Sequence, residues 1–410
     1  MVNLKYSGGD KWSNSLPTNL IDPNYMDWNH MRTLSQANAL AEEDFNNLFV
    51  PFRSVASDVM KQEEYIFRSG NLNEAIRTSA TYPFFIPPIR VNNRLLYDGG
   101  IYNNFPIDVM YQEFSPDVII GCNVSDELDE ADENDLVSQL EALIVTQKEV
   151  VLPCNEIIVV KPNLKGVSTF DFAEVASSID SGYVSTLREL KRIQGVVNRR
   201  VSANEVQVRR EEFRSKLPEF QVGNIQIDGV KKRSIRLERE LMGKGQNSIH
   251  IDDLKKKYFR LLKEGEVRSI YPLANWNKTQ KNFNLNLKVK SEKDLLLSFG
   301  GNYSSRSISS GFIGLRYNNI GNLNFNLEAN SYYGRFYGSA MARVQGRFFI
   351  KNFPLQTALS FTQNRWDYYK SISTFFEDVK PSFILLNERF AEASISAPAG
   401  TKGKLTFDAL

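Results

Sequence analysis

The residues best suited to chemistry are an aspartate and two glycines, Asp98-Gly99-Gly100, which follow the short segment Arg94–Tyr97. The segment predicts a strand, and the two glycines allow positive φ and a sharp reversal after it. An aspartate presented at such a strand end can act as a general base. Because Asp-Gly is also an ordinary hairpin turn, these three residues alone do not decide between a catalytic site and a turn.

Composition narrows the classes of protein. A chain of 410 residues predicts two or three domains. With 50 basic and 48 acidic residues, it offers no electrostatic case for nucleic acid as the main partner. Met1–Leu20 does not resemble a signal peptide, and no apolar run approaches the ~20 residues of a membrane-spanning helix. Cys122 and Cys154 are expected to be buried thiols, and we predict no metal or cofactor.

Three regions follow one another along the chain. Residues 1–217 predict an α/β domain, because short apolar runs alternate with longer segments of helical periodicity. The runs interpreted as strands are Leu48–Phe52, Val118–Gly121 and Glu156–Val160, and the predicted helices are Leu136–Val150 and Phe172–Val197. Strands that alternate with helices favour a partly parallel sheet.

Residues 218–291 predict a small α+β unit of order β-α-α-β-β. Its strands are Phe220–Ile227, Val267–Ala274 and Phe283–Val289, and its helices are Lys232–Met242 and Ile251–Lys263. In the last strand, apolar and polar residues alternate, which is typical of a strand with one buried face.

Residues 292–410 predict antiparallel strands and no convincing helix. Segments of alternating polarity are separated by turns, and aromatic residues cluster near their ends. The segments are Leu295–Tyr303, Gly311–Tyr317, Leu323–Asn330, Phe336–Phe348 and Leu355–Thr362. This pattern is typical of outer-membrane β-barrels, although a soluble β-sandwich produces the same alternation.

The surroundings of the aspartate resemble a known family. Ala75–Pro88 ends a small-residue helix, contains Tyr82-Pro83 and Pro87-Pro88, and precedes Asp98-Gly99-Gly100 by ten residues. This arrangement resembles the second conserved block of the patatin-like phospholipase family. Other stretches that fit over roughly residues 1–200 are Phe49–Val59, Asn103–Pro106, Asp117–Gly121, Val160–Asn163 and Phe170–Tyr183.

The resemblance implies a lipid acyl hydrolase with a Ser-Asp dyad, in which Asp98 matches the aspartate that takes the proton of the serine. The serine of that family lies in a G-x-S-x-G elbow, and the sequence contains no such motif and no glycine-rich oxyanion loop. We therefore expect the chain to be a fragment whose N-terminal part is missing, and to be inactive alone. The implied substrate is a phospholipid or another acyl-ester lipid, and no oligomeric state is predicted.

Other candidate groups are assigned structural roles. The sequence contains two histidines, His30 and His250, and each is expected to be a surface or capping residue rather than the base of a Ser-His-Asp triad. Arg77 could orient a phosphate head group, but a structural salt bridge is the favoured interpretation.

The β-α-α-β-β unit resembles a POTRA domain, and residues 292–410 resemble the start of an outer-membrane surface-antigen-type β-barrel. The fold class expected is therefore an incomplete patatin-like α/β hydrolase (1–217), a POTRA-like module (218–291) and a partial antiparallel β-barrel (292–410). The resemblance implies a bacterial outer-membrane protein whose hydrolase and POTRA-like domains are periplasmic or surface-exposed. Two alternatives stay open: a non-enzymatic transport or assembly protein with a degenerate patatin region, and a soluble lipase with a β-sandwich tail.

Overall fold

The computed structural model describes residues 2–6, 21–124, 157–165, 167, 172–230, 234–243, 245–263, 267–291, 295–302, 309–320, 324–334, 337–350, 353–367, 385–399 and 403–409. The chain divides into two compact units, Asn19–Glu219 on the one hand and Met1–Thr18 with Phe220–Leu410 on the other. The first described strand, β1 (Val2–Tyr6), therefore lies in the second unit. The predicted helix Leu136–Val150 and Cys154 lie outside the described residues.

The Asn19–Glu219 unit combines helices with short strands. In chain order its described elements are α1 (Asn24–Leu40), β2 (Ser54–Asp58), β3 (Glu63–Phe67), α2 (Leu72–Ser79), β4 (Ile89–Val91), β5 (Arg94–Asp98), α3 (Ile107–Phe114), β6 (Ile119–Cys122), β7 (Ile157–Val160), α4 (Val175–Val196) and α5 (Ala203–Ser215). No helix in the described part of the chain is both long enough and apolar enough to cross a membrane.

Two sheets form in this unit. The larger has the order β3-β2-β5-β4 and is antiparallel throughout, while β6 and β7 pair in parallel. The expected parallel component is therefore present, and among the described strands of this unit it consists of that pair. Every residue of β2 is buried. Its Ala56 lies in a core whose members come from β2 to β5, from α2 and from the 3₁₀ helix Phe45–Asn47: Phe45, Ala56, Phe67, Leu72, Ala75, Val91 and Leu96.

One strand prediction is wrong. Leu48–Phe52 forms a loop, and the strand begins at Ser54. Pro51 has no N–H to donate to a sheet, and the side chains of Phe49 and Val50 are exposed. The apolar run is used in part for an edge-to-face contact between Phe49 and Phe213. Cys122 also differs from expectation, because it is exposed at the end of β6.

The second unit contains a small mixed sheet covered by helices. Its elements are β8 (Gln221–Asp228), α6 (Ser234–Met242), β9 (Ile249–His250), α7 (Ile251–Lys263), β10 (Val267–Asn277) and β11 (Asn282–Ser291). The order in the sheet is β10-β11-β8-β9, with β11 parallel to β8 and antiparallel to β10. The predicted β-α-α-β-β order is present with one additional two-residue strand. The alternation predicted for the last strand is confirmed, since Phe283, Leu285, Leu287 and Val289 are all buried.

The same unit contains an eight-stranded antiparallel sheet. Its strands are β1, β12 (Leu295–Asn302), β13 (Ser310–Ile320), β14 (Asn324–Gly334), β15 (Tyr337–Ile350), β16 (Phe353–Asp367), β17 (Leu385–Ala399) and β18 (Gly403–Ala409). The order is β1-β12-β13-β14-β15-β16-β17-β18, so that β12 to β18 form a meander and β1 adds to its edge. Within the described strands the sheet is open, because no pairing joins β1 to β18.

Candidate functional site

Asp98 is the last residue of β5, as its sequence context predicts. The strand is held on one side by β4 and on the other by β2, where Asp98 lies opposite Ala56. Asn92 and Asn93, both with positive φ, make the tight turn between β4 and β5. The strand ends because a 3₁₀ turn, Gly99–Ile101, follows at once and leads towards α3. Asp98-Gly99-Gly100 is therefore not the loop of a hairpin.

The backbone around Asp98 fixes its carboxylate. The carboxylate oxygen Oδ1 accepts a hydrogen bond of 2.8 Å from the N–H of Gly100. The N–H of Asp98 itself donates to the carbonyl oxygen of Thr81 at 3.0 Å. The side chain is half-buried, and no residue of the described chain donates to the second oxygen, Oδ2. Burial raises the pKa of Asp98, while the hydrogen bond from Gly100 acts in the opposite direction.

Gly99 is required for space rather than for conformation. Neither Gly99 nor Gly100 has positive φ, so the expectation of a reversal through positive φ is wrong. A Cβ atom added to Gly99 would lie 2.5 Å from the backbone oxygen of Val55 in β2. The absent side chain therefore lets the end of β5 lie directly against β2. The sequence alone does not reveal this steric requirement, because Val55 belongs to another strand.

A buried ion pair joins helices α2 and α1. Arg77 of α2 donates from Nε to Oδ1 of Asp27 in α1 at 2.5 Å, and both side chains are almost fully buried. Its other nitrogens donate to Thr81 Oγ1 at 2.5 Å and to the carbonyl oxygen of Pro87 at 3.0 Å. The structural role favoured for Arg77 is thus confirmed. Burial raises the pKa of Asp27 to about 6, against the attraction of Arg77.

Comparison with known protein families finds one match in this region. Residues 12–111 match the patatin-like phospholipase family. The match contains the elements described above, from α1 to the strand end at Asp98 and the 3₁₀ turn after it. It confirms the resemblance over this stretch, which we call the patatin-like segment.

Curated relatives match part of the chain over part of their own length. An NTE family protein of Mycobacterium tuberculosis is 38% identical over 68 residues, which are 17% of this chain and 12% of the relative. Patatin-like phospholipase domain-containing protein 6 of Mus musculus is 25% identical over 152 residues, 37% of this chain and 10% of the relative. The chain thus spans a small part of the length of the curated relatives that it matches.

Two solved structures are similar to the chain. BamA from Haemophilus ducreyi lacking POTRA domains 1–3 has a TM-score of 0.35 and 13% identity, over 51% of this chain and 44% of that chain. CdiB from Acinetobacter baumannii has a TM-score of 0.32 and 13% identity, over 82% of this chain and 58% of that chain.

A buried asparagine follows the two glycines in the patatin-like segment. Asn103 is almost fully buried, and its Nδ2 donates to Glu64 at 2.7 Å and to Asp108 at 3.0 Å. Its N–H donates to the carbonyl oxygen of Gly99 at 2.8 Å. These bonds hold the 3₁₀ turn between β3 and α3. The bond to Glu64 could not be predicted from local sequence, because the two residues are 39 positions apart.

The two histidines differ in burial and in their place relative to the helices. His250 is a capping residue, as predicted, because its Nδ1 accepts a hydrogen bond of 3.3 Å from the N–H of Asp252 at the start of α7. His30 lies in the middle of α1 and is half-buried, so it is neither a cap nor a fully exposed residue. Burial and the nearby charge of Arg77 lower the pKa of His30. Across the described part of the chain, no cluster of three or more His, Cys, Asp or Glu could hold a metal ion.

Proposed function

We propose that the patatin-like segment contributes the general base of a lipid acyl hydrolase with a Ser-Asp dyad, and that Asp98 is that base. The observation that carries the proposal is the state of its carboxylate. One oxygen is fixed by the N–H of Gly100, while the side chain remains half-exposed at the end of a strand whose other residues are held in a sheet. A carboxylate that is held in a fixed orientation and is open on one side can accept a proton from a nearby serine hydroxyl.

The chemistry follows from that arrangement. The Asp98 carboxylate would remove the proton of a serine hydroxyl while the serine oxygen attacks the ester carbonyl carbon of a phospholipid or another acyl-ester lipid. The protonated Asp98 would return the proton to the leaving alcohol, and a water deprotonated by Asp98 would then release the fatty acid. Burial supports this role, because the raised pKa of Asp98 increases its affinity for the proton.

The nucleophile is the component that these residues do not supply. No G-x-S-x-G motif occurs among the 410 residues. Ser57 of β2 is fully buried, and it lies opposite Tyr97 rather than Asp98, so it faces the other side of the sheet. The proposal is therefore that the chain is inactive alone and that the serine comes from polypeptide other than these 410 residues.

We further propose that the eight-stranded sheet is part of an outer-membrane β-barrel. One face presents exposed apolar side chains on neighbouring strands, including Ile313, Leu315, Leu327, Val344 and Leu359. The opposite face is polar, and its Asn318, Ser360 and Ser396 are buried. Apolar residues outside and polar residues inside are the arrangement of membrane barrels.

On this proposal the hydrolase (1–217) is joined to the barrel (292–410) through a POTRA-like module (218–291). The parallel pairing of the first and last strands of that module, β8 and β11, with β10 on the far side of β11, supports its assignment as a compact α+β unit. The hydrolase and the module would be periplasmic or surface-exposed at the outer membrane.

The test compares the recombinant chain with the protein from its native source. The purified 410-residue chain should neither hydrolyse a short-chain nitrophenyl ester nor react with a fluorophosphonate probe. Antibodies raised against the chain should recover from native membranes a hydrolase that does both. A chromosomal D98N substitution should abolish hydrolysis, while D117N, at an exposed aspartate, should not. Hydrolysis by the recombinant chain, or full activity of the D98N protein, would contradict the proposal.

The absence of G-x-S-x-G from the sequence also favours a second candidate, a non-enzymatic transport or assembly protein with a degenerate patatin region. The same experiment discriminates between the two. A native protein that reaches the membrane but neither hydrolyses lipid nor reacts with the probe would support the second candidate.

A further inference from the structure

Asp98 is connected to the buried Arg77 through a single intermediate residue, Thr81. The N–H of Asp98 donates to the carbonyl oxygen of Thr81, which lies just beyond the end of α2. Thr81 is fully buried, and its hydroxyl donates to the carbonyl oxygen of Arg77 at 2.7 Å. The same hydroxyl oxygen accepts a hydrogen bond of 2.5 Å from Nη1 of Arg77. The end of β5 is thus connected to Arg77 through one buried threonine.

Arg77 in turn connects three parts of the chain. Its Nη1 holds Thr81, its Nη2 holds the carbonyl oxygen of Pro87, and its Nε holds Asp27 of α1. Thr81 and Pro87 lie near the two ends of the loop that leads from α2 to β4. The planar guanidinium fixes the directions of these bonds relative to each other, which a lysine ammonium cannot do.

The helix that carries Arg77 is itself fixed to the sheet. The hydroxyl of Ser54 in β2 donates to the carbonyl oxygen of Ala75 in α2 at 2.9 Å. Leu72 and Ala75 of α2 are buried in the same core as Leu96 of β5. A shift of the guanidinium would therefore be transmitted to the loop and the strand end rather than absorbed by a movement of α2.

We propose that Arg77 is a positioning residue for Asp98: held by Asp27, its guanidinium fixes Thr81, and Thr81 fixes the backbone of Asp98 at the strand end. The role of Asp98 as a base rests on the function proposed above. Asp27 contributes to this positioning because it neutralises the guanidinium, and an unpaired buried guanidinium would be strongly unfavourable.

The test uses two threonines of the same helical region. T81V removes the hydroxyl that Arg77 holds, whereas T78V removes an equally buried hydroxyl whose bonds are to the helix carbonyls of Glu74 and Ala75. T81S keeps the hydroxyl. Amide hydrogen exchange is measured on the 410-residue chain in detergent after labelling with ¹⁵N-aspartate. Asp58, in the adjacent strand β2, is the internal reference for opening of the whole sheet.

Loss of a hydrogen bond to a charged partner should speed exchange of the Asp98 amide by about tenfold or more in T81V. Exchange at Asp58 should change much less, T78V should leave the Asp98 amide as slow relative to Asp58 as in the unmodified chain, and T81S should restore slow exchange. Equal acceleration at Asp98 and Asp58 in T81V would mean general destabilisation and would overturn the proposal. Unchanged exchange at Asp98 would overturn it as well.

In the native hydrolase, T81V and R77K should lower kcat with KM little changed, because a displaced base affects the reaction rather than substrate binding. T78V should leave kcat unchanged. A rise in KM alone, with kcat retained, would overturn the positioning role. The exchange experiment reports on the anchoring of Asp98 whether or not it is a base, and hydrolysis by D98N reports on the base alone, so the two proposals fail separately.

Discussion

The patatin-like segment and the eight-stranded sheet differ in where their apolar side chains lie. In the segment, apolar residues such as Phe45 and Leu96 form the core, and the buried charges Arg77, Asp27 and Asp58 are paired. In the sheet, apolar residues such as Leu359 and Phe407 are more than half exposed, whereas Asn318 and Ser360 are buried.

The difference is the one expected if the sheet lies in a membrane, as proposed above, and the segment lies in water. A region in water gains stability by burying apolar area and must pair each buried charge. A sheet in a bilayer gains nothing by hiding apolar side chains from lipid, so its polar residues are the ones that turn inward. Each prediction below tests one side of this contrast.

The largest effect is expected where a buried charge loses its partner. R77M leaves Asp27 buried without a counter-charge and should lower the free energy of unfolding by about 3–5 kcal/mol. The matched variant in the sheet is R316M, which breaks a cross-strand pair with Glu328 whose arginine is about half exposed. An exposed pair of this kind contributes about 1 kcal/mol or less. Urea denaturation, followed by region-specific hydrogen exchange, measures both losses. Losses of similar size would remove the contrast between the regions.

The next effect concerns the exposed face of the sheet. L359R places a charge on the apolar face, between Val344 and Ala393 of the neighbouring strands. If that face contacts lipid, the variant should lose about 2–4 kcal/mol of stability in bilayers when the position lies near the midplane. Q345R places the same charge on the polar face and should cost far less. Folding in liposomes, measured by protease protection and electrophoretic mobility, gives both values. Equal tolerance of the two arginines would contradict a membrane location for the sheet.

The two regions also differ in how far sequence predicts them. In the sheet, alternation is a local signal, and the predicted segments fall within β12 to β16 apart from one or two residues at their ends. The strand that carries Asp98 is also predicted from a local signal, because the short segment Arg94–Tyr97 is followed by Asp98 and two glycines.

Helix α1 shows why the rest of the site was not predicted. It buries polar residues, Asn24, Asp27, Ser35 and Asn38, so a pattern based on polarity reads it as a surface segment. The partner of Asp27 lies 50 positions away along the chain, and no periodicity connects them. The same holds for Gly99, whose role depends on the backbone oxygen of Val55 in another strand. Local patterns predict elements, whereas these contacts depend on how the elements pack.

The smallest effect is expected from adding one methyl group to a glycine in each region. In the patatin-like segment, the Cβ of G99A would lie 2.5 Å from the oxygen of Val55, which is backbone and cannot rotate away. The strand end must move, and we expect a loss of about 1–3 kcal/mol in the free energy of unfolding.

In the sheet, the Cβ of G338A would meet nothing closer than the oxygen of Tyr332 at 3.9 Å. There the alanine reduces the entropy of the unfolded chain, so a gain of up to about 1 kcal/mol is expected. The measurement is the shift of the thermal midpoint for each variant, with hydrogen exchange assigning it to its region. Because the two shifts have opposite signs, a general effect of either substitution on expression or solubility cannot imitate the result, and a stabilising G99A would refute the close approach of β5 to β2.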